Sequence, residues 1–251
     1  MALHRLHRFL VTPGHVQGDR LRLAGPEARH AAVVLRLRAG DHLLAFDGRT
    51  TEYLVEVERC GPAEVTGRIL EARPAGGTLA VHLTLVQGLA KGAKMDAIVR
   101  MGTELGVAAF IPVAAARSVA RAEAAGRVER WRRIAREASK QAHRTAIPEV
   151  HEICSFEEAL RQIAGCDLCL MPWEEERGQT IGQALAGRRA AARVALIIGP
   201  EGGFAAEEVA QAKAAGVTTV SLGPLIFRTE TAGPAAVAMV MYEFLLRPGE
   251  S

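Results

Sequence analysis

Apolar residues in this chain follow two patterns that change near residue 74. Up to about residue 73 they come in short alternating runs, Arg20 to Leu23, Asp41 to Phe46, Tyr53 to Glu58 and Val65 to Leu70, with Asp47-Gly48 and Gly61-Pro62 between them. A period of two broken by turn residues predicts half-buried strands in a small β-rich domain. Arg73-Pro74-Ala75-Gly76-Gly77 then reads as a linker. Beyond it, apolar runs predict strands at Leu79 to Val86, near Ala108 to Val113, and at Asp167 to Met171, Arg193 to Ile198 and Val217 to Leu222. Helical periodicity predicts helices from Lys94 to Leu105, over the basic segment around Trp131, and from Ala205 to Ala215. Strands alternating with helices imply an α/β domain with a largely parallel sheet.

Two of these strands run into glycine-bearing loops that lead to helices. They are Ile198-Gly199-Pro200-Glu201-Gly202-Gly203-Phe204 and Leu222-Gly223-Pro224-Leu225-Ile226-Phe227-Arg228-Thr229-Glu230-Thr231-Ala232. With Ala205 to Ala215 as a crossover helix, both loops should emerge at the carboxyl edge of one sheet, where open α/β sheets hold small ligands. The first loop lacks the Lys and Ser/Thr of a phosphate-binding loop, and Glu201 would repel phosphate. A carboxylate there suits a ligand with hydroxyl or ammonium groups; taken alone, the loop reads equally well as a structural turn.

With 251 residues, the chain has material for one large domain or two modest ones. No secretion signal or membrane span is expected, because Arg5, His7 and Arg8 interrupt the first residues and Tyr242 and Glu243 interrupt the longest late apolar stretch. Four cysteines do not suggest a disulfide scaffold, so reduced thiols and a cytoplasmic location are the expectation. Cys166 and Cys169 form a Cys-x-x-Cys in a strand-like segment, where residues three apart point to opposite faces, and without a second pair they read as core packing rather than a metal site. His82 and His151 read as core or edge histidines, and no Ser/His/Asp or Cys/His set stands out.

Net charge is only +3, but it is unevenly spread. Arg117 to Arg144 is strongly basic, whereas Glu149 to Glu176 is acidic, with Arg161 as its one Lys or Arg, and reads as a solvated face. On a helical projection of the basic segment, Val128, Trp131, Ala135, Ala138 and Ala142 form one stripe, with Arg133, Arg136, Lys140 and Arg144 roughly opposite. The cationic face is either a solvated surface or a contact for a polyanion, and a neighbouring β-rich domain and ligand site favour nucleic acid. The amino-terminal His4, Arg5, His7 and Arg8 read either as a loose basic tip or as a further RNA contact.

Taken together, the two loop motifs resemble the paired C-terminal motifs of the ribosomal RNA small subunit methyltransferase E family, of the SPOUT class. The resemblance covers nearly the whole chain. Lys91 to Val107, with Lys94-Met95-Asp96 and Thr103-Glu104-Leu105-Gly106-Val107, is similar to the family's first catalytic-domain helix. Gln141, Arg144 and Pro148 follow its mid-domain pattern, and Arg8-Phe9, His30, Val34-Leu35-Arg36, Gly40-Asp41 and Phe46-Asp47-Gly48 follow its amino-terminal PUA-like domain. Two positions depart from the family pattern: Leu225 stands where Arg is usual, and Met101 where Lys is frequent. A contact to RNA or cofactor is therefore moved or absent.

The resemblance implies a PUA-like β-rich domain over residues 1–73 and a SPOUT methyltransferase domain with a C-terminal trefoil knot over 74–251. It implies a homodimer, S-adenosyl-L-methionine as cofactor, no metal, and methylation of N3 of a uridine in 16S rRNA of the small ribosomal subunit. The cofactor would lie across three loops, against Leu170 and Met171, Ile198, Gly199, Pro200, Gly202 and Gly203, and Leu222, Gly223, Leu225, Ile226 and Phe227. Arg228 is the candidate catalytic residue, a guanidinium that can donate two hydrogen bonds to the uracil carbonyl oxygens as charge develops there; the alternative is a loop tie through Glu230. Candidate RNA contacts are Arg5, Arg8, Arg36, Lys94, Arg133, Arg136, Lys140 and Arg144. A noncatalytic RNA-binding or assembly protein of the same fold, or a methyltransferase for another nucleotide, remains open at this stage, because fold does not fix substrate.

Overall fold

The computed structural model of the chain describes residues 6–74, 79, 81–117, 126–188 and 193–246; Arg5 and most of the expected linker lie outside them. Two compact units divide the chain. The first comprises Met1–Thr78 with Ser139–Ile147, the second Leu79–Ala138 with Pro148–Ser251.

In the first unit the alternating segments fold as expected into strands. These are β1 (Arg8–Leu10), β2 (Val16–Gln17), β3 (Arg20–Ala24), β4 (His42–Phe46), β5 (Thr51–Cys60) and β6 (Glu64–Pro74), with a short helix α1 (Gly25–Arg29) after β3. They make one sheet in the order β1-β4-β5-β6-β3-β2, antiparallel except for the β1–β4 pair. Leu21, Leu23, Leu43, Val55, Val57 and Val65 turn inward onto Phe9, while Arg20 and Arg22 of the same alternation face solvent. The Asp47-Gly48 turn is held by the Asp47 carboxylate, which accepts hydrogen bonds from the backbone N–H groups of Arg49, Thr50 and Thr51 at 2.8, 2.9 and 3.1 Å. Pro74, expected in the linker, is the last residue of β6.

Unit two contains the parallel sheet. Its elements are β7 (His82–Gly88), α2 (Lys94–Glu104), β8 (Ala109–Ala114), α3 (Arg127–Gln141, whose last three residues belong to the first unit), β9 (Glu149–Val150), β10 (Cys154–Ser155), α4 (Phe156–Ile163), β11 (Leu168–Pro172), α5 (Ile181–Leu185), β12 (Arg193–Ile198), α6 (Ala206–Ala214), β13 (Thr218–Val220) and α7 (Thr229–Met241). The strands run β10-β8-β7-β12-β11-β13, every pair parallel, with β9 beside β8. Val194, Leu196 and Ile198 of β12 enter one core, while Ala195 and Ile197 enter the other, so both faces of the strand are buried. The acidic stretch is more than a solvated face, since it holds α4, capped by the Ser155 hydroxyl accepting from Glu158 N at 3.2 Å, and the buried strand β11.

In α7, Gly233, Pro234, Ala236, Val237, Val240 and Met241 are buried within their own unit. One expectation, the geometry of the Cys-x-x-Cys, changes. Cys166 and Cys169 do not point to opposite faces, because β11 begins only at Leu168 and leaves Cys166 in the turn before it; both line one small cavity. Both pack half-buried against the second core. His82 is exposed at the first residue of β7, an edge position away from the strand's carboxyl end.

Candidate active site

Strands β11, β12 and β13 are adjacent and parallel, so the loops that follow them leave the same edge of the sheet. The loop after β12 is shaped by close backbone approach. A Cβ on Gly88, at the end of β7, would lie 2.5 Å from both Pro200 N and Cδ, so only glycine lets β7 pass beneath that loop. Gly203 takes φ +67°, donating its N–H to Pro200 O at 3.0 Å to close the turn. Gly199 is tight against the loop itself, since a Cβ there would meet Gly203 Cα at 3.2 Å and Phe204 Cδ2 at 3.3 Å.

Buried polar groups fasten this loop to the start of α7. Gln87, 1% exposed, donates from Nε2 to the Thr229 hydroxyl at 3.0 Å, which in turn donates to Gly199 O at 2.6 Å. Lys94, at the first turn of α2, places its ammonium 3.1 Å from Glu201 and 3.2 Å from Glu230. Glu201 also accepts from Lys91 N at 2.9 Å. Burial pushes the Glu201 carboxyl up, but the Lys91 hydrogen bond and Lys94 outweigh it and leave the group below the usual carboxylate range. Lys94 therefore ties the two motif loops together, its charge met by two carboxylates.

After β13, Ser221 Oγ accepts from Gly223 N at 3.1 Å, and Gly223 adopts φ +116°. The chain then exposes Leu225 and Ile226, at 74% and 87%, before Arg228 caps α7 in extended conformation. Arg228 is exposed, and Glu230, which pairs with Lys94, also feels the Arg228 charge. After β11, Trp173 donates its N–H to Val220 O at 3.0 Å, and Lys213 lies 4.9 Å over its ring. Glu176 accepts from the Thr219 hydroxyl at 2.6 Å.

The three loops enclose a cavity of about 890 Å³. Of the residues expected at a cofactor, Ile198, Gly199, Pro200, Gly203, Leu222, Gly223, Leu225, Ile226 and Phe227 line it, and Arg228 stands on its wall. Leu170 and Met171 do not; both are fully buried in the core, and the next residues, Pro172 and Trp173, face the cavity instead. Gly202 turns away, its carbonyl accepting from Arg117 at 3.0 Å. Sequence reasoning missed Trp173, Glu174, Glu176, Arg177, Thr180 and Ser221, which also line it. Their one sequence signal was position just past a parallel strand.

The expected RNA contacts fare unevenly. Arg8 is a strand residue whose side chain is 6% exposed and 2.7 Å from Glu52, and Lys140, 9% exposed, pairs with Glu27 in the same unit. Burial pushes Arg144, beyond the end of α3, down to about 10. These cations are spent inside the first unit, so the open face of the basic helix contracts to Arg133, exposed, and Arg136, half-buried. Arg36 is exposed with φ +55°. Among the described residues no group of three or more His, Cys, Asp or Glu could hold a metal ion, and no helix is long and apolar enough to cross a membrane.

Comparison with known proteins agrees with this architecture. The family model for an RNA methyltransferase domain matches residues 78–241, and the model for an RNA methyltransferase PUA domain matches 23–70. The chain belongs to the ribosomal RNA small subunit methyltransferase E family. The Bacillus subtilis (strain 168) member is 31% identical over 235 residues, covering 91% of this chain and 92% of its own. The Mycobacterium tuberculosis member is 33% identical over 223 residues, 86% of this chain and 84% of its own. A ribosomal RNA small subunit methyltransferase E from Neisseria gonorrhoeae, solved bound to S-adenosyl methionine, superposes with a TM-score of 0.85 at 30% identity, over 94% of this chain and 96% of that one. Family membership gives the two units their kinds, a PUA domain and an RNA methyltransferase domain.

Proposed function

We propose that this chain binds S-adenosylmethionine in the cavity at the carboxyl edge of its parallel sheet and methylates N3 of a uridine in 16S rRNA of the small ribosomal subunit. The reading includes action in the cytoplasm as a homodimer with a C-terminal trefoil knot, and domains divided near residue 74. The observation that carries it is the convergence of both glycine loops on one cavity with an exposed arginine on its wall. The volume lies within the roughly 300–1,000 Å³ usual for small-molecule sites. Apolar walls from Trp173, Leu222 and Phe227 suit a flat ring, while Glu174, Glu176, Arg177 and Glu201 suit hydroxyl, ammonium and carboxylate groups.

When bound, the cofactor supplies an electrophilic methyl on a sulfonium. Transfer then depends on holding the acceptor nitrogen in line, and the protein's contribution is rigid placement. Gln87, Thr229 and Lys94 provide it by tying the Gly199–Phe204 loop and the start of α7 together. Negative charge develops on the uracil oxygens as the N3 proton leaves, and Arg228 stabilises it with two hydrogen bonds. Mass-spectrometric mapping of 16S rRNA from cells with and without the gene tests the assignment. A methyluridine lost in the deletion and restored by purified protein with S-adenosylmethionine is the expected result; unchanged rRNA, or a methyl at another ring position, would refute it.

A further inference from the structure

The Cys-x-x-Cys segment lies outside the site described above and has a use that core packing does not require. Cys166 and Cys169 line one cavity of about 170 Å³ with Ile163, Arg188 and Thr218, at the amino end of β11. Each is half-buried rather than sealed in the core, and each is a free thiol. Cys169 Sγ lies 3.7 Å from Ile163 O, so the end of α4 holds it in place. The guanidinium of Arg193 acts on Cys166, while the Arg193 N–H is held by Asp167 at 2.8 Å.

We propose that Cys166 and Cys169 are a reactive dithiol site that exchanges with small-molecule disulfides and closes an internal disulfide. The Cys166 thiolate attacks one sulfur of the incoming disulfide, forming a mixed disulfide and releasing one thiolate, which takes up a proton. Cys169 then loses its proton and attacks the Cys166 sulfur, breaking the mixed disulfide and releasing the second small thiol. Two protein thiols are oxidised to one disulfide, and the reagent is reduced to two thiols.

Chemistry divides the four cysteines in the order this requires. The hydrogen bond from Cys169 and the charge of Arg193 bring Cys166 down to about 7, against burial and Asp167, whereas burial pushes Cys60 and Cys154 up. The same hydrogen bond pushes Cys169 up, so it resolves rather than initiates. A lower-pKa thiolate is intrinsically a weaker nucleophile, but its gain in thiolate fraction at neutral pH is larger, for a net advantage of about tenfold.

The test treats the reduced full chain with glutathione disulfide near neutral pH and maps the cysteines by mass spectrometry. The wild type should lose two hydrogens through a Cys166–Cys169 bond and keep no glutathione there. Cys169→Ser should stop at glutathione on Cys166, formed about tenfold faster than at Cys60 or Cys154, and Cys166→Ser should leave Cys169 unmodified. A stable glutathione adduct on wild-type Cys166, or first reaction at Cys60 or Cys154, overturns the proposal, as does a chain that stays fully reduced.

Discussion

At the scale of single residues, the site is governed by how closely backbones approach and by which charges are left open. Gly88 is under the hardest constraint, since a side chain there meets the backbone nitrogen of Pro200 and not a flexible side-chain tip. Gly88→Val should push the Gly199–Phe204 loop away and weaken S-adenosylmethionine binding by at least about tenfold, roughly 1.4 kcal/mol. Gly182→Ala in α5, where a Cβ meets nothing within 4 Å, should leave binding unchanged; calorimetry on the two variants separates loop geometry from general damage. Arg228 differs from Lys94 in being exposed on the cavity wall, with Glu230 near enough to feel its charge. Arg228→Ala should lower the single-turnover methylation rate by roughly two to three orders of magnitude with cofactor affinity little changed, and Lys should rescue only part of it. A rate loss accounted for wholly by lost cofactor binding would make Arg228 a loop anchor.

Secondary-structure elements determine which of the many arginines remain available. Helix α3 carries its apolar stripe inward as projected, with Val128, Trp131, Ala135 and Ala138 buried, but Arg130 and Arg132 pair with Asp96 and Glu152. Arg133 and Arg136 are the candidates that remain on its open side. The double Ala variant should lower the salt slope of RNA binding by up to about two units, near one per phosphate contact, with cofactor affinity unchanged; filter binding across a salt series reads it. In the first sheet, Glu52 of β5 accepts from Arg8 at 2.7 Å, Arg73 at 3.0 Å and the Thr145 hydroxyl at 2.8 Å. Burial alone would raise the Glu52 carboxyl, but these three partners hold it below its ordinary value. Its stabilising contribution is therefore complete above the unfolded carboxyl's pKa of about 4.3 and is lost as pH falls through the lower folded value. Glu52→Gln should cost about 3 kcal/mol at neutral pH, because Arg8 is left buried without its anion, and the difference should vanish at strongly acidic pH. Urea melts followed by hydrogen exchange in β5 measure it.

At the scale of the whole molecule, exposed apolar residues bear on association. The apolar residues of α7 are used inside the chain, yet Leu225, Ile226 and Tyr242 stay exposed in the second unit, together with Leu105 at the end of α2. Leu225 and Ile226 line the cavity, while exposed large apolar side chains such as Tyr242 and Leu105 are what a symmetric contact would cover. Light scattering at micromolar protein should give twice the chain mass, and a monomer would sink the dimer. By itself, the sequence determined the order of strands and helices, the parallel sheet and the two motif loops, because period-two runs, continuous apolar runs and glycines act through local sterics. Arg193 to Ile198 came out residue for residue, since a six-residue, largely apolar run rich in Val and Ile and ended by Gly199-Pro200 is too short for a helix and fits a strand buried on both faces. Only the tertiary structure decided that Arg8, Lys94 and Lys140 are paired, that Leu170 and Met171 are core while Trp173 faces the larger cavity, and that two cysteines three apart share a smaller one. Ion pairing and burial join residues distant in the chain, as Arg8 with Glu52 and Lys94 with Glu201 and Glu230 do, and a pattern read along one strand or helix has no access to the partner.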